Sequence, residues 1–114
     1  MKQLVLFCLC SLLGYAASAQ SQAALDSAFI RDNFTKREVM IPMRDGVQLF
    51  TTIYSPKDQS KKYPFIVRRT PYSCNPYGSD AFSQGFQNMN LARAGYIFVF
   101  QDVRGRYMSE GEFV

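Results

Sequence analysis

The chain has 114 residues, a formal charge of +4, 47% hydrophobic and 15% aromatic residues, and no histidine. The aromatic content is enough for a core, and no repeat or low-complexity stretch appears. No basic stretch is longer than Lys61-Lys62 or Arg68-Arg69, which leaves no visible nucleic-acid footprint. Without histidine, any mechanism that needs an imidazole base cannot be completed by these residues.

Residues 1–19 read as a cleaved secretory signal. Lys2 supplies a small positive start, Leu4 to Leu13 form an apolar run broken by Ser11, and Ala17-Ser18-Ala19 is a small-residue cleavage site. The run is far shorter than the roughly 20 residues a membrane-spanning helix needs. The expectation is an exported mature chain from Gln20, periplasmic or extracellular, with no membrane association after cleavage. Cys8 and Cys10 would leave with the signal. Cys74 alone cannot form an internal disulfide, so the exported part depends on its core.

Residues 20–36 are small and polar apart from Ala28-Phe29-Ile30, and read as an N-terminal arm, partly helical at most. Glu38 to Pro42 reads as a strand, Met43-Arg44-Asp45-Gly46 as its turn, and Val47 to Tyr54 as the returning strand. Asp-Gly takes the positive-φ positions of a tight hairpin. After a polar loop, Tyr63 to Thr70 forms a strand that starts on Pro64 and ends at Pro71. Its continuously apolar centre predicts a strand covered on both faces.

The period then changes. Phe82, Phe86, Met89 and Ala92 recur at helical spacing, with Ser79 or Asp80 as N-cap and Gly95 in the C′ position. Gly85 weakens that helix by about 1 kcal/mol. Tyr96 to Phe100 is a second apolar strand. A hairpin feeding a strand–helix–strand unit predicts an α/β domain with a mixed, mostly parallel sheet. Two parallel strands and one helix leave a sheet face and an edge uncovered. The chain is therefore expected to be the opening of a longer domain, incomplete and marginal or unfolded alone.

Chemistry is expected in the connection after the first parallel strand, because open α/β sheets bind ligands beyond the carboxyl ends of their strands. There Pro71 fixes its own φ and biases Thr70 towards an extended shape, which aims Tyr72. A phenol at that place is a hydrogen-bond donor for a tetrahedral oxyanion; packing of the ring over the sheet edge is the plainer alternative.

The run Arg69-Thr70-Pro71-Tyr72, the apolar strand, and Gln101-Asp102-Val103-Arg104-Gly105-Arg106-Tyr107-Met108-Ser109-Glu110-Gly111-Glu112-Phe113 resemble the cocaine esterase/NonD hydrolases. Those are related to X-prolyl dipeptidyl-peptidases and α-amino-acid ester hydrolases. The likeness covers roughly residues 37–114 and implies the N-terminal portion of an α/β-hydrolase domain. It implies hydrolysis of an ester, amide or dipeptide-terminated peptide through a Ser-His-Asp triad and an acyl-enzyme, without a cofactor. Tyr72 matches the motif tyrosine whose hydroxyl enters the oxyanion hole. The backbone N–H after the nucleophile is the second donor.

Nucleophile, acid and base are not in this chain: no G-x-S-x-G elbow occurs. Ser73 and Ser109 sit in no elbow and have no base to activate them, so local hydrogen bonding is their expected role. Asp102 and Arg104 are expected to make an ion pair or backbone hydrogen bonds. Glu110 and Glu112 lie too close in sequence to flank a glycosidic bond. Cys74 lacks a base, no cysteine–histidine cluster offers a metal site, and no glycine-rich phosphate loop follows either strand. A non-catalytic remnant, or a binding module with a hydrolase-like start, is the competing expectation.

Overall fold

The computed structural model describes residues 21–114; the signal segment and its cleavage site lie outside them. In order they form α1 (residues 21–33), β1 (Phe34–Pro42), β2 (Gln48–Pro56), β3 (Phe65–Thr70), α2 (Met89–Arg93) and β4 (Ile97–Asp102). The four strands make one mixed sheet in the order β1-β2-β4-β3. The hairpin β1–β2 is antiparallel, β2–β4 is antiparallel, and β3–β4 is parallel, so the sheet is mixed as expected but, among the described residues, mostly antiparallel rather than mostly parallel.

The hairpin turn forms where Asp-Gly predicted it. Of the pair only Gly46 takes a positive φ, +86°; its N–H reaches the Met43 carbonyl at 3.0 Å, and the Asp45 carboxylate accepts from the Val47 N–H instead. Both strands are longer than expected because the pairing runs from Phe34↔Pro56 to Pro42↔Gln48. The N-terminal arm needs correcting: it is helical from residue 21 to 33, beyond the partial helix expected, and strand begins at Phe34. Tertiary contact explains the difference. Ile30 is fully buried in the main cluster, and Asp26 is held by Arg93 of α2 at 2.6 Å.

One face of the sheet carries the core. Phe34, Tyr54 and Phe98 from the strands pack with Ile30, Phe86 and Ala92. The Phe86 and Phe98 rings stack at 4.2 Å, and Tyr54 meets Phe86 edge-on at 5.1 Å. The other face shows the second correction. Phe65 and Val67 of β3, expected to be covered on both faces, are 65% and 49% exposed. They pair with Ile97 and Val99, which share that face, and β3 is an edge strand among the described residues.

The third correction concerns the crossover. Only Met89–Arg93 is helical, capped by Asn88, whose side chain accepts from the Asn90 and Leu91 N–H groups. Ser79 and Asp80 cap nothing. Gly95 does end the helix at φ +88°: its N–H bonds the Ala92 carbonyl, and the Tyr96 N–H bonds the Leu91 carbonyl. The stripe Phe82, Phe86, Met89 and Ala92 does face the core, so its spacing marked burial correctly and conformation wrongly. A long-range contact from Lys36 of β1 holds the start of the segment. The buried Lys36 ammonium donates to the carbonyls of Pro76 (2.6 Å), Gly78 (2.9 Å) and Ala81 (2.6 Å). In a helix the Ala81 carbonyl would accept from the Gly85 N–H; here it serves Lys36.

Candidate functional site

β3 ends on Thr70, which is buried, and the Val103 N–H bonds the Thr70 carbonyl at 3.2 Å as β3 and β4 leave the sheet together. Pro71 then removes a donor and stops the strand. The Tyr72 N–H turns back onto the Thr70 hydroxyl oxygen at 3.0 Å, while the Tyr72 side chain stands 80% exposed at the carboxyl end of the parallel strands. Ser73 follows in the left-handed region at φ +85°, which folds the chain inward again, and Cys74 is buried. Tyr72 is therefore the outward tip of a short bend whose two feet are buried.

Asp102, the last residue of β4, holds the inner foot. It is fully buried and has no cationic partner among the described residues. A buried carboxylate needs donors to replace water. Three converge on it: the Cys74 N–H at 2.8 Å, the Tyr77 hydroxyl at 2.8 Å and the Met108 N–H at 3.3 Å. Its backbone carbonyl accepts from the Ser109 hydroxyl at 2.6 Å, and the Ser109 oxygen accepts in turn from the Phe50 N–H. Ser73 Oγ pairs with the Tyr77 hydroxyl at 2.8 Å and accepts from the Asn75 N–H. Ser73 thus does the local hydrogen bonding expected of it, whereas Ser109 ties its segment to the backbone of β2 and β4. Arg104 forms an ion pair with Asp45 at 2.9 Å, which holds the Asp45 carboxyl below its ordinary range.

The segment after β4 is tied across the hairpin. The Glu110 N–H bonds the Gln48 carbonyl, its carboxylate accepts from the Gln48 N–H, and the Gly105 N–H reaches the Glu110 carbonyl, each at 2.9 Å. Glu110 is thereby a structural acceptor. Arg106 Nε donates to the Pro71 carbonyl at 3.1 Å. That contact was not foreseen from the sequence; its only trace there was the position of Arg106 inside the unusual run from Gln101 to Phe113.

Reactivity follows from these environments. Burial, with Asp102 beside it, pushes the Cys74 thiol up to about 12, so no thiolate forms near neutral pH. Burial, reinforced by the Asp102 carboxylate, also pushes the Tyr77 phenol up to about 12. Among the described residues no group of three His, Cys, Asp or Glu side chains is placed to hold a metal ion. A cleft lined by Arg68, Thr70, Ser73, Asn75 and Gln87 opens on the covered face of the sheet, and Tyr72 is not part of its wall. The arrangement presents one exposed phenol at a strand end and a web of spent hydrogen bonds beneath it.

Comparison with known proteins places this web. Residues 45–114, from the hairpin turn through the whole site, match the model of the X-Pro dipeptidyl-peptidase (S15) family. The chain belongs to this family. As an S15-family chain it is 43% identical over 79 residues to the cocaine esterase of Rhodococcus sp. (strain MB1 Bresler), covering 67% of itself and 13% of that protein. It is 44% identical to an α-amino acid ester hydrolase of known structure, with a TM-score of 0.59 over 72% of this chain and 14% of that one. A structure of an aminopeptidase from a marine sediment archaeon, Thaumarchaeota archaeon, is 41% identical with a TM-score of 0.61 and the same coverage. The resemblance drawn from Arg69 to Tyr72 and Gln101 to Phe113 is thereby matched, and the S15 relatives are hydrolases. This chain spans about one-seventh of the length of these relatives.

Proposed function

We propose that this chain is the N-terminal part of an exported serine hydrolase of the α/β-hydrolase fold, and that Tyr72 is an oxyanion-hole donor in it. The observation that carries the proposal is the placement of the Tyr72 phenol. It is exposed at the carboxyl end of β3, on a bend anchored before it by the Tyr72 N–H and the Pro71 carbonyl and after it by the Cys74 N–H. A donor held in advance where negative charge develops needs no reorganisation during the reaction.

The reaction is acyl transfer. A serine oxygen from outside this chain attacks the substrate carbonyl carbon and passes its proton to a histidine. The carbonyl oxygen becomes an oxyanion that accepts from the Tyr72 hydroxyl and from the N–H after the nucleophile. Collapse expels an alcohol or amine, which takes the proton from histidine, and water then releases the acid by the same steps in reverse order. An aspartate orients the histidine. The names of the relatives, an esterase, an amino acid ester hydrolase and an aminopeptidase, support a small ester, amide or peptide as substrate. No cofactor enters these steps. The A-x-A segment at Ala17-Ser18-Ala19 supports export to the periplasm or beyond.

The test is Tyr72→Phe in the full-length protein. It should lower kcat about 10²-fold with unchanged thermal stability, because one oxyanion donor is lost and no packing is disturbed. Unchanged turnover would remove Tyr72 from the mechanism.

A further inference from the structure

We infer that Arg106 is a positioning residue for Tyr72, so that the turn carrying the phenol and the segment after β4 act as one unit; this rests on the oxyanion reading above. The peptide group joining Pro71 to Tyr72 sets the direction in which the tyrosine leaves the backbone. Both of its polar atoms are held. The Tyr72 N–H is bound to the Thr70 hydroxyl at 3.0 Å, and the Pro71 carbonyl accepts from Arg106 Nε at 3.1 Å. Proline has no N–H of its own, so the carbonyl is the only backbone handle available at residue 71.

Arg106 is itself held in advance. Its N–H bonds the Val103 carbonyl at 3.1 Å, within the turn that Gly105 makes at φ +72°. Its guanidinium carbon lies 5.3 Å from the ring centres of both Tyr107 and Phe113, an arrangement that fixes the planar head without using its donors. No described carboxylate pairs with it. An arginine with no acidic partner, held between aromatic rings and aimed through Nε at one carbonyl, is doing geometry rather than charge balance. The second anchor, the Cys74 N–H on Asp102, comes from the same segment. The bend is therefore gripped on both sides of Tyr72 by residues 102–106.

A double-mutant cycle in the full-length protein tests this. Arg106→Ala should lower kcat about tenfold, since small misplacements of a reacting group are costly, with KM changed by no more than about twofold. In the Tyr72→Phe background, where no hydroxyl is left to aim, the same substitution should change kcat by less than about twofold. A purely structural role would give equal losses in both backgrounds; that result, or no loss in either, overturns the inference while leaving Tyr72 as the donor. If Tyr72→Phe itself left kcat intact, both readings would fall. Should Arg106→Ala not fold, Arg106→Lys keeps charge and stem but lacks the Nε–H, and the same cycle is read with it.

Discussion

Replacing Asp102 with alanine should loosen the bend that carries Tyr72 far more than replacing it with asparagine, and the hydrogen bonds set the difference. Alanine strands three donors. The Cys74 N–H is buried, and leaving it unpaired costs about 2–3 kcal/mol. The Tyr77 hydroxyl keeps Ser73 Oγ at 2.8 Å as a partner, so its share is below about 1 kcal/mol. Met108 is exposed and its 3.3 Å bond passes to water at almost no cost. The sum is about 3 kcal/mol, or slightly more than a 10²-fold rise in local opening. Asparagine keeps an oxygen for Cys74 and points its NH₂ at the Tyr77 oxygen, which donates to Ser73 instead; only Met108 meets a donor, and the cost is about 1 kcal/mol. Amide hydrogen exchange by mass spectrometry reads this in the peptide spanning residues 70–78 of the full-length protein, with the α2 peptide as internal reference. Equal exchange of this peptide in the alanine and asparagine variants would refute the assignment of Asp102 as the anchor.

Two further perturbations separate steric and ionic contributions. Gly105→Ala places a Cβ against the Glu112 and Phe113 backbone at a positive φ, whereas Gly46→Ala has the same φ problem and open space. The latter should cost about 1 kcal/mol and the former several-fold more, visible as unequal falls in Tm; equal falls would show that the segment 112–113 moves aside. The Cys74 thiol, raised from its ordinary 9.0 to about 12, is held protonated by the fold. Its contribution to stability is whole below pH 9 and lost as pH rises towards 12, because the unfolded chain releases the proton first. Urea midpoints should therefore fall more steeply over that window in the native protein than in Cys74→Ala; parallel curves would contradict the burial of the thiol. Tyr77 is raised chiefly by burial, with Cys74 the smallest of its causes, so most of its effect cancels in the comparison.

Elements written in local chemistry were legible from the sequence. Asp45-Gly46 announced the hairpin, Gly95 the end of α2, and the apolar runs β3 and β4. The crossover was not, because among the contacts that hold it is the ammonium of Lys36, forty to forty-five residues from the carbonyls it binds. A lysine in the sequence Phe34-Thr35-Lys36-Arg37-Glu38 carries no sign that its ammonium will be buried. The same division holds in the site. Position relative to a strand end is a local property, and it located Tyr72. Backbone hydrogen bonding by Asp102 is legible in the same way, but its particular partners, and the contact of Arg106, depend on which loop lies beside β4 in the folded sheet, and no spacing rule contains that. The exposed face of β3 differs for another reason: apolar sequence states what a strand should be packed against, not whether the partner is among the described residues.

The sheet order β1-β2-β4-β3 also separates the order of synthesis from the order of assembly. β3 is made before β4 yet, among the described residues, has no neighbour until β4 enters between it and β2. The turn at Tyr72 therefore leaves the ribosome about thirty residues ahead of its two clamps, Asp102 and Arg106. Until they arrive, the Cys74 N–H and the Pro71 carbonyl belong to water, and the turn is free to sample other shapes. Closure of the bend is thus a late, long-range event that waits for β4 to dock, and its completion reports that the sheet has found its register.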